Sequence, residues 1–289
     1  MKSILSVFSF VARRYLCVKN RNIYVLVICL LLLIISFNHL NSIAEEKSLL
    51  PSSIPAPGEI MLDGKIALSA MVALAEGHIK KTIDSLETLT MTEEVKSGNW
   101  EKMKDFLAKV QQSNVPATVW FARPDGSYFT VDKGLTDQNL KDREYFPKLI
   151  AGEKVIGSLV VSHSTGKKSA VVAVPIIKDG KIIGALGASI FLEQLNEILK
   201  KEMKLPENLI FFAIDAQSQT TLNWKEERIF GDATKQGSDS LSKAIKEMLS
   251  KQEGIVEYEF TGKIRRVLFQ KSPLIGWCFA LGVVMVIEK

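Results

Sequence analysis

The segment 162–168, SHSTGKK, brings hydroxyl, imidazole and ammonium groups close together, so its side chains could act as nucleophile, base or anion ligand. A phosphate-binding loop would need G-x-x-x-x-G-K followed by Ser or Thr, whose amides and hydroxyl hold the phosphates and the metal. Val161 stands where the first glycine belongs and Lys168 where the hydroxyl belongs, so this loop is excluded. Ser164 and Lys167 do have the S-x-x-K spacing of penicillin-recognising acyl-enzymes. A plain hairpin turn that leads past a ligand is the third interpretation.

The segment DREYF contains an arginine that could bind an anion. We expect Asp142 to cap a short helix, so that the guanidinium of Arg143 and the helix N-terminus together bind a carboxylate. A surface ion pair of Arg143 with Asp142 or Glu144 is the alternative. Tyr145 could line the same pocket and donate from its hydroxyl, or simply pack under the sheet, whereas Phe146 is more typical of a core.

Further candidates lie on or beside the strands that would surround such a pocket. Because side chains alternate along a strand, Trp120 in TVWFA faces either the core or a pocket, and Tyr128 is in a similar position. Alternation also places Ser162 and Ser164 on one face and His163 on the other, so all three reach one ligand only if the strand bends. The candidate binding residues are therefore Arg143, Tyr145, Trp120, Ser164, Ser162, Tyr128, His163 and Lys168.

Size and composition limit the possible functions. With 289 residues, of which 47% are hydrophobic, the chain can bury the core of one large or two small domains. The net charge of +5 is spread over 37 basic and 32 acidic residues, so no nucleic-acid partner is expected. Three cysteines and three histidines are too scattered for a disulfide within the folded part or a metal site, and no cofactor is predicted.

The N-terminal part of the chain predicts a membrane location. Residues 23–37 form a charge-free apolar run, which Asn38, His39 and Leu40 extend to residue 40; lysines and arginines lie before it and glutamates after it. By the positive-inside rule, residues 1–22 form a cytoplasmic leader, and the chain after about residue 40 faces the outer side of the inner membrane. We expect an uncleaved single-pass anchor, with a signal peptide cleaved after Ala44 as the alternative. Residues 41–58 are rich in proline and predict a tether.

Residues 59–117 predict a helical stalk, followed by a first unit at 118–204. The first helix runs from residue 59 to about 92, and Asn99 caps a second helix. In the first unit, TVWFA and SYFTV form a hairpin around RPDG, and three further β-rich runs are joined by STGKK and KDGK. A helix from Leu192 to about Met203 closes this unit of five strands.

Residues 205–289 predict a smaller unit of similar organisation. The strand LIFFAID is followed by a helix that contains Leu241 and Ile245 and ends at Gly254. Three more strands follow in IVEYEF, RRVLFQ and GWCFALGVVMV. The predicted fold class is α+β, with a long N-terminal helix that carries two tandem PAS-like units, each with an antiparallel sheet.

This order of elements, together with WFARPDGSYFT, DREYF, SHSTGKKSAVVAVPI, DGKIIGALGASI and SPLIGWCFALGV, resembles the double Cache domain of bacterial chemoreceptors and sensor kinases. The resemblance covers residues 59–289. It implies that the first, membrane-distal unit binds a small molecule, that the membrane-proximal unit relays the change, and that Arg143 holds a carboxylate of the ligand. It also favours the hairpin interpretation of SHSTGKK, because an S-x-x-K nucleophile lies at a helix start.

Two departures from the resemblance narrow the expected function. Amino-acid-binding members carry acids that hold the ligand's ammonium, whereas here Ser189 stands at the matching position of the last strand and SHSTGKK lacks the others. A ligand with a carboxylate and no amine is therefore expected, such as pyruvate, acetate or a short dicarboxylate. The sequence also ends without a second membrane span or an output domain, so we expect a sensor that signals through a membrane partner or as a homodimer. A serine acyl hydrolase that uses Ser164 and Lys167, and a ligand-free structural or assembly protein, are the alternatives.

Overall fold

The computed structural model describes residues 63–206 and 209–285. The predicted cytoplasmic leader, the membrane anchor or signal segment and the proline-rich tether lie outside these residues. Within the two described ranges, no helix is both long enough and apolar enough to cross a membrane.

The fold is organised around a helix of 27 residues, α1 (Gly64–Thr90). The carboxylate of Asp63 accepts a hydrogen bond from the backbone N–H of Lys65 at 2.8 Å and so caps the helix. Positions three and four apart are buried along one side, as the helical period of the sequence predicts. These residues are Leu68, Met71, Val72, Ala75, Ile79, Ile83 and Leu86.

Two shorter helices lead from α1 to the first sheet. The single turn α2 (Glu93–Lys96) is followed by α3 (Trp100–Ser113), whose first turn is capped by the side chain of Asn99 through a 3.0 Å hydrogen bond from the N–H of Glu101. Met103 and Leu107 are fully buried on the inner side of α3. The predicted cap of this helix is confirmed.

The first sheet consists of antiparallel strands that come almost entirely from the predicted membrane-distal unit. Its strands are β1 (Ala117–Ala122), β2 (Ser127–Thr130), β3 (Gly134–Asn139), β4 (Val155–Val161), β5 (Lys168–Lys178) and β6 (Lys181–Phe191). They lie in the order β3-β2-β1-β6-β5-β4. A short helix, α4 (Phe146–Ile150), precedes β4, and α5 (Leu192–Met203) follows β6 as predicted.

The second sheet repeats the order of the five strands of the first sheet other than β3. It contains β7 (Leu209–Ile214), β8 (Thr220–Asn223), β9 (Glu253–Phe260), β10 (Lys263–Lys271) and β11 (Cys278–Val284), with α6 (Asp239–Ser250) before β9. The order β8-β7-β11-β10-β9 matches β2-β1-β6-β5-β4 position by position, and all neighbouring strands are antiparallel.

Hairpin turns fix the register of the first sheet. Val161 pairs with Lys168 across β4 and β5, so SHSTGKK is a turn between two antiparallel strands. The turn between β5 and β6 places Asp179 and Gly180 in the left-handed region, at φ 51° and 73°, which is the conformation that an Asp-Gly turn needs. Both predicted turns are therefore present.

The two sheets share one core with α1. Buried side chains of α1 pack in a single cluster with Val119 and Phe121 of the first sheet and with Phe211 and Phe279 of the second. Trp277 adds a polar link, because its indole N–H donates to the carbonyl of Gly157 at 3.2 Å. The shared helix with two antiparallel sheets agrees with the predicted α+β class.

Two strands were missed by the sequence analysis. The first sheet has six strands rather than five, because the polar segment Gly134–Asn139 pairs as an edge strand with most of its side chains exposed. The second sheet has five rather than four, because Thr220–Asn223 forms a short strand beside β7. Neither segment has the apolar alternation on which the strand predictions depended.

Two predicted helix boundaries were wrong. Asp142 does not cap α4, which begins at Phe146 after Tyr145 and has no side-chain cap. Arg143 therefore lies in the turn before this helix and not at its N-terminus. The helix of the second unit ends at Ser250, and Gly254 lies in β9, where its backbone passes so close to the Phe269 ring that a Cβ would lie 2.8 Å away.

Candidate functional site

The candidate site lies on the face of the first sheet that is turned away from the shared core. Alternation along β1 places Val119 and Phe121 in the core with α1, whereas Trp120 belongs to a separate apolar cluster with Tyr145 and Phe146. That cluster closes the space between the sheet and α4. Trp120 and Tyr145 are consequently on the pocket side, as one of the two interpretations of Trp120 expected.

A small cavity of about 10 Å³ is enclosed at this position. That volume accommodates about one water molecule. The structure brings together every predicted site residue except Lys168, and adds Leu140 and Val160 to them. The lining consists of Trp120, Tyr128, Leu140, Arg143, Tyr145, Val160, Ser162, His163, Ser164 and Ser189.

The indole of Trp120 explains why the cavity is so small. The side chain is 2% exposed, and its N–H donates to the hydroxyl of Ser189 at 3.3 Å. Opposite it, Gly187 in β6 leaves room for the ring, since a Cβ at this glycine would lie 2.1 Å from the indole. Tyr145 stacks on the other side, with 6.5 Å between the ring centroids. The two aromatic rings thus fill the space that a ligand would need.

Arg143 lies at the edge of this cavity and is half-buried. Its Nη2 donates to the carbonyl of Val161, the last residue of β4, at 2.8 Å. Within the described part of the chain, Arg143 forms no ion pair with Asp142 or Glu144. One of the five N–H donors of the guanidinium is therefore used to hold the end of β4, and the others remain for a ligand.

The turn after β4 brings both serines and the histidine to the same cavity. The strand ends at Val161, so the alternation that would have separated these side chains no longer applies. The hydroxyls of Ser162 and Ser164 lie 3.3 Å apart, and Nε2 of His163 lies 3.7 Å from a carboxylate oxygen of Asp142. The sequence analysis required a bend in the strand before all three side chains could reach one ligand. The chain leaves the strand after Val161, which has the same effect.

The two lysines of SHSTGKK point elsewhere. The ammonium of Lys168 donates to the carbonyl of Ile229, in the second unit, at 2.9 Å. The ammonium of Lys167 lies 4.0 Å from the centroid of the Phe191 ring. Lys168 is therefore not brought to the cavity, and Lys167 is not placed as a base for Ser164, whose hydroxyl is paired with Ser162.

The cavity is lined mainly by uncharged side chains and by one guanidinium group. Its lining contains the guanidinium of Arg143 and no carboxylate. Burial raises the pKa of Tyr145 well above the usual range, although the charge of Arg143 opposes this shift. The hydroxyl of Tyr145 therefore stays protonated and can donate to an anion at every physiological pH.

Tyr145 also borders a larger cleft that the sequence analysis missed. This cleft has a volume of about 510 Å³ and lies between β4 and the turns of the second sheet around residues 215–219 and 275–277. Burial raises the pKa of Asp215 in its wall, while hydrogen bonds from the N–H groups of Gln219 and Gln217 oppose the rise. Because Tyr145 lines both spaces, its side chain separates the small cavity from the cleft.

A long helix that carries two antiparallel sheets, one of which closes over a polar cavity, defines a tandem PAS-like α+β domain. The family model described as the Cache domain, dCache_1, matches residues 61–287. The chain belongs to this family, and the resemblance expected from its motifs is confirmed. No curated protein matches the chain.

Solved structures with this fold include sensory domains of bacterial receptors. An extracellular ligand-binding receptor from Desulfohalobium retbaense has 13% identity and a TM-score of 0.63 over 78% of this chain, which spans only 41% of that receptor. The ligand-binding domain of the Pseudomonas aeruginosa chemoreceptor PctB, in complex with L-Arg, has 13% identity and a TM-score of 0.60, with 77% of this chain and 97% of that one covered. The sensory domain of the Campylobacter jejuni chemoreceptor Tlp3, with isoleucine bound, has 15% identity and a TM-score of 0.55, with 77% and 90% covered. At such identities the likeness shows the fold alone.

Proposed function

We propose that this protein is an extracytoplasmic sensor module that binds a small organic acid in the cavity of its first Cache unit. The observation that carries the proposal is the convergence of Arg143, Tyr145 and the serine hydroxyls on one enclosed space. A guanidinium with free donors and a protonated phenol are suited to a carboxylate, because hydrogen bonds to a charged acceptor are the strong kind.

The acid-free lining supports a ligand without an amine. PctB and Tlp3 were solved with amino acids, whose α-ammonium needs a negatively charged or strongly accepting partner. In the cavity described here, Ser189 stands where the resemblance places such an acid, and its hydroxyl already accepts from Trp120. A monocarboxylate such as acetate or pyruvate, or a short dicarboxylate, is therefore the class of ligand that we infer.

Binding requires the cavity to open. A space of about 10 Å³ holds one water molecule but no organic acid. The movable parts are the rings of Trp120 and Tyr145 and the turn 162–167, because these elements close the space from three sides. Displacement of Tyr145 would join the cavity to the cleft between the two units, and a ligand could in this way change the contacts between the units.

We propose that the signal passes to a partner in the membrane. The expected arrangement has the domain on the outer side of the inner membrane, a single N-terminal anchor at 23–40, a membrane signalling partner or a homodimer, and no nucleic acid. The family supports a sensory role of this kind. The division at 118–204 and 205–289 into a membrane-distal binding unit and a membrane-proximal relay unit is part of the same proposal.

The test is calorimetric titration of the full chain, in detergent, with acetate, pyruvate, succinate and L-alanine. We expect an acid without an amine to bind more tightly than L-alanine. Arg143→Ala should weaken that binding by about 2 to 4 kcal/mol, which is roughly 30-fold to 1000-fold, because a bound carboxylate would lose its charged partner. Arg143→Lys should restore part of the affinity, since an ammonium cannot form the bidentate fork.

Arg123→Ala is the matched control. Arg123 is an exposed arginine in the turn after β1, with its guanidinium carbon 4.8 Å from the centroid of the Phe129 ring and outside the cavity, so its loss should leave the affinity unchanged. Equal binding by the parent and a folded Arg143→Ala variant would overturn the carboxylate clamp. Preference for L-alanine over every simple acid would overturn the ligand class.

A ligand-free structural role is the second candidate, and the small volume of the cavity is the observation that favours it. Under this hypothesis, Trp120 and Tyr145 fill the former ligand space permanently and act as core residues. None of the acids would then bind, and Arg143→Ala would change only stability. The hydrolase alternative has no comparable support, because Lys167 lies on Phe191 and the hydroxyl of Ser164 is paired with that of Ser162.

A further inference from the structure

The second sheet has a cavity of its own, and two arginines line it. This cavity has a volume of about 30 Å³ and lies between the sheet and α6. Arg265 enters it from β10, and Arg228 enters it from Glu226–Arg228, a 3₁₀ helix of one turn that follows β8. Two positive charges thus meet in a space that is large enough for about two water molecules.

Arg265 is buried without a counter-ion. Only 6% of the residue is exposed, and its Nε has no hydrogen-bond partner in the described part of the chain. The guanidinium carbon lies 4.3 Å from the centroid of the Phe260 ring and 5.4 Å from that of Trp224. Aromatic faces stabilise a cation, but they leave the N–H of Nε unsatisfied.

Arg228 adds a second cation beside the first. Its guanidinium carbon lies 4.2 Å from the centroid of the same Phe260 ring, and Nη1 makes only a long hydrogen bond, 3.4 Å, to the carbonyl of Gln236. Burial lowers the pKa of Arg228, and the neighbouring charge of Arg265 lowers it further. The two guanidinium groups therefore destabilise each other in the absence of an anion.

Neither arginine forms an ion pair with a carboxylate within residues 63–206 and 209–285. Arg266, the next residue of β10, differs from Arg265 in both respects. Its side chain is 56% exposed, and it forms an ion pair with Glu257 at 3.4 Å. A buried cation without a partner costs several kcal/mol, so a protein rarely keeps one unless something neutralises it. An anion bound in the cavity would supply the missing negative charge.

We propose that this cavity is a second binding site, for a compact oxyanion such as inorganic phosphate or a short carboxylate, held between Arg265 and Arg228. Neutral donors complete the lining, since the hydroxyls of Thr220 and Tyr258 and the amides of Asn223 and Gln236 border the same space. A group of this size fits where two waters fit, whereas a larger metabolite does not. The site is independent of the one proposed in the first unit.

The test is calorimetric titration of the full chain, in detergent, with inorganic phosphate and separately with acetate, at constant ionic strength. We expect saturable binding of at least one of the two anions. Arg265→Gln and Arg228→Gln should each weaken it at least about tenfold, because each removes a charge-assisted contact. Arg266→Gln, the matched control on the same strand, should bind both anions as the parent does.

The outcomes distinguish this site from the first one. If phosphate binds and acetate does not, the site holds a tetrahedral oxyanion. If acetate binding survives Arg143→Ala, the site holds a carboxylate. Either outcome supports the proposal. If Arg265→Gln fails to fold, the half-buried Arg228→Gln decides. Absence of saturable binding of either anion, or equal binding by the parent and a folded Arg228→Gln variant, would overturn the proposal and leave the arginines as cations stacked on aromatic rings.

Discussion

The two units use the same strand order but place their positive charge differently. In the first unit, Arg143 is half-buried at the edge of the cavity and donates to a backbone carbonyl. In the second unit, Arg265 lies inside, against aromatic rings and without a partner. The shared strand order therefore supports a pocket with one cation at its edge in one half and a pocket with two arginines in the other.

This difference separates what the scaffold determines from what the side chains determine. The strand order and the shared helix decide where a cavity forms, because both units have one between the sheet and the elements that cover its outer face. The side chains decide its chemistry. The likeness to receptors of known ligand consequently predicts the position of a site and leaves its specificity to be tested residue by residue.

Replacement of Trp277 by alanine should have the largest effect on stability, because this residue joins the two units. It is 2% exposed within the common core and donates to Gly157 of the first sheet at 3.2 Å. We expect Trp277→Ala to lower the free energy of unfolding by about 3 to 5 kcal/mol, as large-to-small changes of buried aromatic residues do. Urea denaturation followed by circular dichroism measures this loss.

Trp277→Phe serves as the matched control. It keeps an aromatic ring in the core and removes the hydrogen bond to Gly157, so it should cost much less than Trp277→Ala, on the order of 1 kcal/mol from the bond itself. A loss below about 1 kcal/mol for Trp277→Ala would contradict the shared core. So would separate unfolding transitions of the two sheets in the parent protein.

Gly187→Ala should have an intermediate effect, confined to the first unit. The new Cβ would lie 2.1 Å from the Trp120 indole, so the ring must move out of its place over β6. Overpacking of this kind costs about 1 to 3 kcal/mol. The displaced ring should also change the affinity for an organic acid in the first cavity, while phosphate binding in the second remains as in the parent.

Ser189→Ala separates the steric effect from the polar one. It removes the acceptor of the 3.3 Å hydrogen bond from Trp120 and leaves the ring in place, so it should cost about 1 kcal/mol. Calorimetry and thermal unfolding of both variants provide the comparison. If Gly187→Ala were as stable as the parent, the ring could not be the part that closes the first cavity.

The elements with a strong apolar period could be predicted from the sequence, and polar elements could not. The periods of α1 and α3 and the turn signals around Asp179 and Gly180 each have a direct physical cause in burial or backbone conformation. The strands Gly134–Asn139 and Thr220–Asn223 are polar, and only their neighbours in the sheet make them strands. Leu140 of the cavity was missed for the same reason, since it directly follows the first of these segments.

The side chains of the candidate site show a similar division. The sequence order of the motifs indicated most of the first cavity, but whether Lys168 turns toward it depends on the carbonyl of Ile229 in the other unit. Arg265 was missed, although the sequence contains a signal for it. It lies on the same face of β10 as the buried Val267 and Phe269, because side chains two positions apart in a strand point the same way. Alternation states only that a residue faces inward, and an arginine in such a position is easily interpreted as exposed.

The smallest predicted effect concerns the loop that carries Arg228 and Gln236. Asp232 holds this loop, since its carboxylate accepts from the hydroxyl of Thr234 at 2.6 Å and from that of Ser218 at 3.1 Å. The hydrogen bond from Thr234 is the main cause that lowers the pKa of Asp232 to about 2. A carboxyl with a lowered pKa stabilises the folded state while it is ionised, and this contribution disappears on protonation.

The sign of the pH dependence follows from this shift. The contribution of Asp232 is complete above its ordinary pKa of 3.8 and is lost as the pH falls toward about 2. The parent should therefore be more stable than Asp232→Ala by less than about 1 kcal/mol at about pH 5, because solvent screens this half-exposed group, and the difference should shrink toward about pH 2. Urea midpoints of both proteins across this range measure the change. A difference that stays constant with pH would show that Asp232 acts through packing and not through its charge, and the loop of the second unit would then have no acid-sensitive support.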